Sequence, residues 1–341
     1  MRCHYYGDPN VAFGSFYVIL STKQIYVFTV KKHKMNPARI IIISLIALLC
    51  GCAPAQNNSS DIVHHDAKPN DVLRKKIEGI ISNKKADIGI SIINPGEHDS
   101  IQVNGDRFYP MLSTVKFPIA LTILHKVAAG ELSMTQKIFI KKAVLLKDTW
   151  SPFREKFPGG NISISLEEAM QWMICYSDNN MTDMLLRLIG GPDSVQHFIN
   201  SKQLIVKNNE EEMHKDWASQ FVNEVTPNEA TRLLMMFDKG AILNKENTQW
   251  LYNTMVKNTT GVKRLKGKLP ENVKVAHRTG TSFTNAAGMT GAINDIGIIE
   301  LPDGKKIYIA VFIHDTYEKF DDGEAIIAAI AKEVYEYNIK K

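Results

Sequence analysis

Cysteine is nearly absent from most of this chain. Four occur in 341 residues, and three of them (Cys3, Cys50 and Cys52) fall in the first 52. Only Cys175 lies beyond, so no disulfide can form within the body of the protein. Its apolar helical surroundings predict a buried structural thiol. Metal-ligand spacing is lacking as well. No His-x-x-x-His occurs, His64-His65 falls in a polar spacer, and no cysteine pair follows residue 52. No metal and no other cofactor is expected. The body also lacks a charge of one sign. Residues 1–55 hold six Lys/Arg and one acid, which accounts for the whole net charge of +5. The remainder is balanced at 35 basic and 35 acidic residues, so the footprint of a nucleic-acid binder is missing.

The leader reads plainly. Lys31, Lys32, Lys34 and Arg39 precede an apolar run, Ile40–Leu49, and small residues follow at Gly51, Ala53 and Ala55. This is the charged, apolar and cleavage pattern of an export signal over residues 1–55. The run is too short for a membrane span, which needs about 20 apolar residues. Met35 heads a complete signal by itself and is an alternative start. Leu49-Cys50-Gly51-Cys52 resembles a lipobox, which would anchor the chain through a lipid on Cys52. The alternative is cleavage after Ala55 and a soluble product. Both readings expect an exported, periplasmic protein, and a monomer.

Residues 56–69 read as a spacer. Leu73, Ile77, Ile80 and Ile81 then recur at helical spacing. Ile88, Ile90 and Ile92 alternate as in a strand, Asn94-Pro95-Gly96 is a turn, and a return strand begins at Ser100. Beyond Pro110 helices dominate: an apolar run over Phe117–Ala129, and capping signals at Ser165-Leu166-Glu167-Glu168 and Thr226-Pro227-Asn228-Glu229. Strands return at Val273–His277, Gly291–Leu301 and Lys306–His314, the last two joined by Pro302-Asp303-Gly304. A helix over Glu324–Tyr337 closes the chain. The order predicts an α+β fold. Residues 70–108 and 257–341 form an antiparallel sheet flanked by N- and C-terminal helices, and 109–256 form an inserted all-α domain. Its junction with the sheet is a favoured place for a cleft.

Three short stretches carry the chemistry: Ser113-Thr114-Val115-Lys116, Ser177-Asp178-Asn179 and Arg278-Thr279-Gly280-Thr281-Ser282. A serine and a lysine three apart at a helix start share one face. The hydroxyl needs a base before it can attack, and a lysine serves if burial and neighbouring cations lower its pKa. Ser177 can pass a proton to a leaving nitrogen, and Asn179 can both donate to and accept from an amide. Asp178 reads as structural, bonding local backbone N–H groups. Arg278 beside hydroxyls can hold a carboxylate, and Gly280 lets a ligand approach the strand.

Ser-x-x-Lys, Ser-Asp-Asn and Lys-Thr-Gly in this order are the signature of class A β-lactamases and penicillin-binding proteins. From about residue 70 to its end the chain resembles that superfamily. It is most similar to the extended-spectrum and cephalosporinase branch of the class A enzymes. Shared context includes Ser-Thr-Val-Lys-Phe-Pro, Tyr-Ser-Asp-Asn, and Asn-Thr-Thr-Gly ahead of Leu-Lys-Gly-Lys-Leu-Pro. The resemblance implies a β-lactam substrate, Ser113 as acylated nucleophile with Lys116 as its partner, and Ser177 as proton relay. Asn179 would hold the substrate amide, Arg278 and Thr279 its carboxylate, and the N–H groups of Ser113 and Thr281 the oxyanion. Glu210, in a loop expected near 205–223, aligns with the deacylating base, ahead of Met213 and His214. His214 stands where many relatives place an asparagine that positions the deacylation water. Arg264 matches a second carboxylate-binding guanidinium, and Trp150 an aromatic at the mouth of the site. Arg278 departs from the commoner lysine, which makes proton shuttling there unexpected. Two other classes share part of the pattern. One is a D,D-peptidase or transpeptidase without the glutamate; the other is a β-lactam sensor domain acylated once and never hydrolysed.

Overall fold

The computed structural model describes residues 5–6, 13–21, 24–31, 69–94 and 100–340. The apolar leader run, the lipobox with Cys52, Ala55, the spacer up to 68 and the turn at Pro95-Gly96 lie outside the described residues. Two units are present. The first holds a three-stranded antiparallel sheet of Tyr5–Tyr6, Phe13–Ser21 and Gln24–Lys31.

The second unit is built on five antiparallel strands: β1 (Asp87–Ile93), β2 (Ile101–Val103), β3 (Val275–Thr281), β4 (Thr290–Glu300) and β5 (Lys306–Thr316). Their order is β3-β4-β5-β1-β2, so β3 is an edge strand. Strand geometry sends alternate side chains to opposite faces. On β5, Ile307, Ile309, Val311 and Ile313 face one core, and Tyr308, Ala310 and Phe312 face the other. The first core is closed by helix α1 (Pro69–Ile81), through Leu73 and Ile77, and by the C-terminal helix Phe320–Ile339, through Ile326, Ile327 and Ile330. The second packs against the helical insertion. Each such buried Ile or Leu contributes about 2 kcal/mol.

The insertion holds helices α2 (Lys116–Ala128), α3 (Leu166–Cys175), α4 (Asn179–Ile189), α5 (Pro227–Asp238) and α6 (Lys245–Val256) among others. Nine residues of α2, Lys116 to Leu124, are buried, so it is the central helix of this lobe. Ser165 caps α3 by accepting from Glu168 N–H, and Thr226 caps α5 by accepting from Glu229 N–H. The stretch 109–256 is not purely helical. Tyr109–Pro110, Glu224–Val225 and Leu204–Ile205 form one small sheet, and Lys137–Ile140 pairs with Ile162–Ser165. The Leu204–Ile205 and Glu224–Val225 pair closes the neck of the intervening loop, the geometry of an Ω-loop. Inside it, Asn223 accepts from the N–H groups of Lys207 and Asn208 and donates to Asn208 O.

Strand β3 runs further than its sequence pattern predicts. Gly280 interrupts the Arg-Thr-Gly-Thr stretch, yet the stretch pairs fully with β4: Arg278 with Ile296, Thr279 with Asp295, Gly280 with Asn294, Thr281 with Ile293. Tertiary pairing overrides local preference here.

Candidate active site

Ser113 sits in a 3-10 turn, Leu112–Val115, that leads into α2 rather than in the α-helix itself. The turn is held in an unusual shape. Leu112 has φ +48°, a conformation costly for a branched side chain. Gly280 explains how the turn is seated. A Cβ there would lie 2.3 Å from Met111 O and 3.1 Å from Leu112 Cβ. The missing side chain thus admits the turn that carries Ser113 against β3, where the sequence suggested room for a ligand. Gly280→Ala is expected to cost about 2 kcal/mol of stability, as overpacking does. Urea denaturation measures it; an unmoved midpoint would contradict this packing.

Lys116 is wholly buried. Its Nζ lies 2.8 Å from Ser113 Oγ, 3.2 Å from Ser177 Oγ, 3.1 Å from Ser177 O and 2.5 Å from Asn179 Oδ1. Glu210 Oε1 stands at 3.4 Å, ion-pair range without a hydrogen bond. Burial lowers the lysine to about 8; the Glu210 carboxylate opposes that shift and Arg278 reinforces it. Near neutral pH a useful fraction is therefore the free amine.

Ser177 lies between α3 and α4 with φ +58°, again left-handed without glycine. Asp178 pins it. Its carboxylate caps α4 at Met181 N–H and accepts from Ser151 Oγ and Phe153 N–H. Ser177 Oγ receives Arg278 Nη2 at 2.5 Å as well as Lys116 Nζ. Two cationic donors occupy its lone pairs, so its own hydrogen is free to be given away.

Arg278 is fully buried and packs its guanidinium against Ser177 and Thr260. Burial pulls it down to about 10, and the carboxylates of Asp295 and Glu210 oppose this, so it stays charged at neutral pH. Arg264 is also buried. It pairs with Glu324 at 3.1 Å and donates to Gly280 O, Asn294 O and Thr281 Oγ1. Ser282 N–H bonds Ala292 O on β4, so alternation along β3 turns the N–H of Thr281 outward.

Glu210 opens a short helix, Glu210–Met213, whose Asn209–Glu212 capping box fixes its start. Its side chain is 3% exposed, and Oε1 has no hydrogen-bond partner. Arg187 ties this turn to α4 by bridging Asp183 and Glu211. His214 does not face the glutamate's carboxylate. Its Nδ1 contacts Glu210 O at 2.6 Å and its Nε2 contacts Thr149 Oγ1 at 3.2 Å. Thr149 in turn accepts from Asn179 Nδ2 at 2.8 Å. A carbonyl only accepts, so Nδ1 carries the hydrogen and both ring nitrogens are occupied.

These parts surround a cleft of about 760 Å3, lined by Ser113, Trp150, Asn179, Glu210, His214 and Thr281 with others. Lys116, Ser177, Arg278, Thr279, Gly280 and Arg264 are buried in its wall. Trp150 is 57% exposed at the rim and bonds Tyr176 O. A larger groove of about 920 Å3 lies beside α5 and α6 but holds none of this chemistry. Sequence reading missed Thr149, Trp217 and Phe283. Trp217 and Phe283 meet edge to face at 5.2 Å on the lining of the cleft. Phe283 follows Ser282 directly, the one available hint. Among the described residues no cluster of His, Cys, Asp and Glu could hold a metal.

Residues 71–338 match the model of the Beta-lactamase enzyme family. The chain belongs to that family. It is a class A β-lactamase by its relatives as well. It is 42% identical over 285 residues to β-lactamase VEB-1 of Pseudomonas aeruginosa, covering 82% of this chain and 94% of that one. It is 36% identical over 273 residues to the extended-spectrum β-lactamase PER-1 of the same organism, covering 79% and 88%. The crystal structure of TLA-1 extended-spectrum β-lactamase superposes with a TM-score of 0.77 at 44% identity, over 80% of this chain and all of that one. The α+β architecture of this β-lactamase is thus that of its solved relatives.

Proposed function

We propose that this β-lactamase opens penicillins and cephalosporins through an acyl-enzyme on Ser113 and releases it with water activated by Glu210. The observation that carries the reading is the convergence of Ser113, Lys116 and the Glu210 carboxylate, ion-paired to Lys116 with one oxygen free of hydrogen bonds, in one buried cluster. The amine of Lys116 takes the Ser113 proton as Oγ bonds to the lactam carbonyl carbon. The outward N–H of Thr281 and that of Ser113 receive the oxyanion. The lactam C–N bond breaks, and the nitrogen takes the Ser177 proton, which Lys116 replaces. Water then attacks the ester, Glu210 takes its proton, and that proton passes through Lys116 to Ser113 Oγ as it leaves, which returns Glu210 to the carboxylate. Asn179 holds the acylamido group, and Arg278, Thr279 and Arg264 hold or support the carboxylate side. His214 is assigned to the loop rather than to the water, because both its nitrogens are bonded. The leader supports an exported, periplasmic enzyme.

Nitrocefin hydrolysis tests this reading. Sustained turnover supports it. A single stoichiometric burst would favour the sensor, or the D,D-peptidase if a D-Ala-D-Ala peptide is also cleaved. The pH profile tests the base. Lys116 must lose its proton to act, so acylation is expected to rise with pH and level off above about 8. A single-turnover limb confined to the carboxylate range would instead assign acylation to Glu210.

A further inference from the structure

Behind the carboxylate side of the cleft runs a chain of hydrogen bonds that no step above uses. Thr279 Oγ1 lies 2.6 Å from Thr260 Oγ1. Thr260 sends two hydrogens to Asn258 Oδ1, from its hydroxyl at 2.9 Å and its backbone N–H at 3.2 Å. Asn258 Nδ2 is 3.2 Å from His277 Nε2. His277 Nδ1 meets both oxygens of Asp295, at 2.9 and 3.0 Å. Asn258, His277 and Asp295 are all buried, the last two completely.

The direction of every hydrogen in this chain follows from its fixed donors. A backbone N–H can only donate, so the Asn258 atom facing Thr260 is its oxygen. Its amide NH2 therefore faces His277, whose Nε2 must accept. The carboxylate of Asp295 only accepts, so His277 carries its hydrogen on Nδ1. The Thr260 hydroxyl hydrogen is committed to Asn258. The Thr260 oxygen then accepts twice, from Arg278 Nη1 at 3.3 Å and from the hydroxyl of Thr279. Each hydrogen from Thr279 to Asp295 points away from the cleft.

We propose that Asp295, His277, Asn258 and Thr260 are positioning residues that hold the Thr279 hydroxyl as a hydrogen-bond acceptor in the free enzyme. What it meets, a substrate carboxylate, rests on the β-lactamase reading above. A carboxylate reaching Thr279 faces oxygen lone pairs until that hydroxyl turns and releases Thr260. Recognition of the carboxylate therefore falls first to the cationic groups of β3 and its neighbours. The chain acts on substrate binding, and so on KM more than on kcat.

Two measurements test this. In the wild-type protein, two-bond 1H–15N correlation of His277 is expected to show a neutral ring protonated on Nδ1. An Nε2–H ring or an imidazolium at neutral pH overturns the chain. In Thr260→Val the Thr279 hydrogen is released toward the cleft. The nitrocefin KM is then expected to fall about tenfold, the effect of one hydrogen bond to a charged group, with a smaller change in kcat. Thr260→Ser, which keeps the hydroxyl, is expected to retain the wild-type KM. A KM in Thr260→Val equal to or above wild type sinks the proposal. If Thr260→Val does not fold, the wild-type imidazole spectrum still decides it. Absence of nitrocefin hydrolysis by the wild type would defeat the functional reading alone.

Discussion

Ser113→Ala is expected to abolish steady-state β-lactam turnover, by about 10⁴-fold or more, while leaving the fold intact. Removing the nucleophile of a coupled catalytic group costs nearly as much as removing the group. The side chain is small, and the buried core around Leu112 and Val115 does not depend on its hydroxyl. Lys116 Nζ keeps its contacts to Ser177 and Asn179 in the variant. Thermal unfolding should therefore stay near the wild-type midpoint while nitrocefin hydrolysis disappears. A variant that keeps a tenth of the wild-type rate would place the nucleophile elsewhere.

Glu210→Gln is expected to separate the two halves of the reaction. In the proposed mechanism acylation needs the Ser113–Lys116 pair, which the substitution leaves in place. Hydrolysis of the ester needs a base beside it, and an amide cannot take a proton. Steady-state turnover should fall about 10³-fold, the middle of the range for general-base catalysis. Intact-protein mass spectrometry after mixing with a cephalosporin should show the whole population shifted by one acyl group, on Ser113. Unchanged turnover would reject Glu210 as the deacylating base. Loss of turnover without any adduct would instead show that acylation too depends on Glu210.

Much of this architecture was legible from periodicity and caps. Alternating isoleucines mark β1, and Ser165 and Thr226 mark where α3 and α5 begin. The motif order pointed to the cluster that Lys116 now centres. Other features were hidden because only distant parts of the chain create them. β3 extends through Thr281 because β4 lies beside it. The short strands within 109–256 are two to four residues long and pair across long intervals, which leaves no local pattern. The purpose of Gly280 was misread for the same reason, since Met111 is far away in sequence. Arg264 is buried with Glu324, a partner 60 positions away that no local pattern reveals. The contact of His214 Nε2 with Thr149 Oγ1 likewise joins positions 65 apart. Thr260 was visible in Asn-Thr-Thr-Gly, but its polarity needed the geometry of Asn258 and His277.

The position of β1 has a consequence for how the enzyme comes into being. Ile93 pairs with Tyr308, more than two hundred positions later. Until β5 is available, β1 has a partner on one side only, and that partner is the three residues of β2. The edge strand that carries Arg278 reaches its neighbours only through β4, which itself docks on β5. Such long-range closure is slow and comes late, after loops of great length have been drawn together. A partly synthesised chain therefore has no assembled catalytic centre and no finished sheet. Arg278 reaches Ser177 only once β3 has docked on β4, so the cluster around Lys116 waits on the same closure.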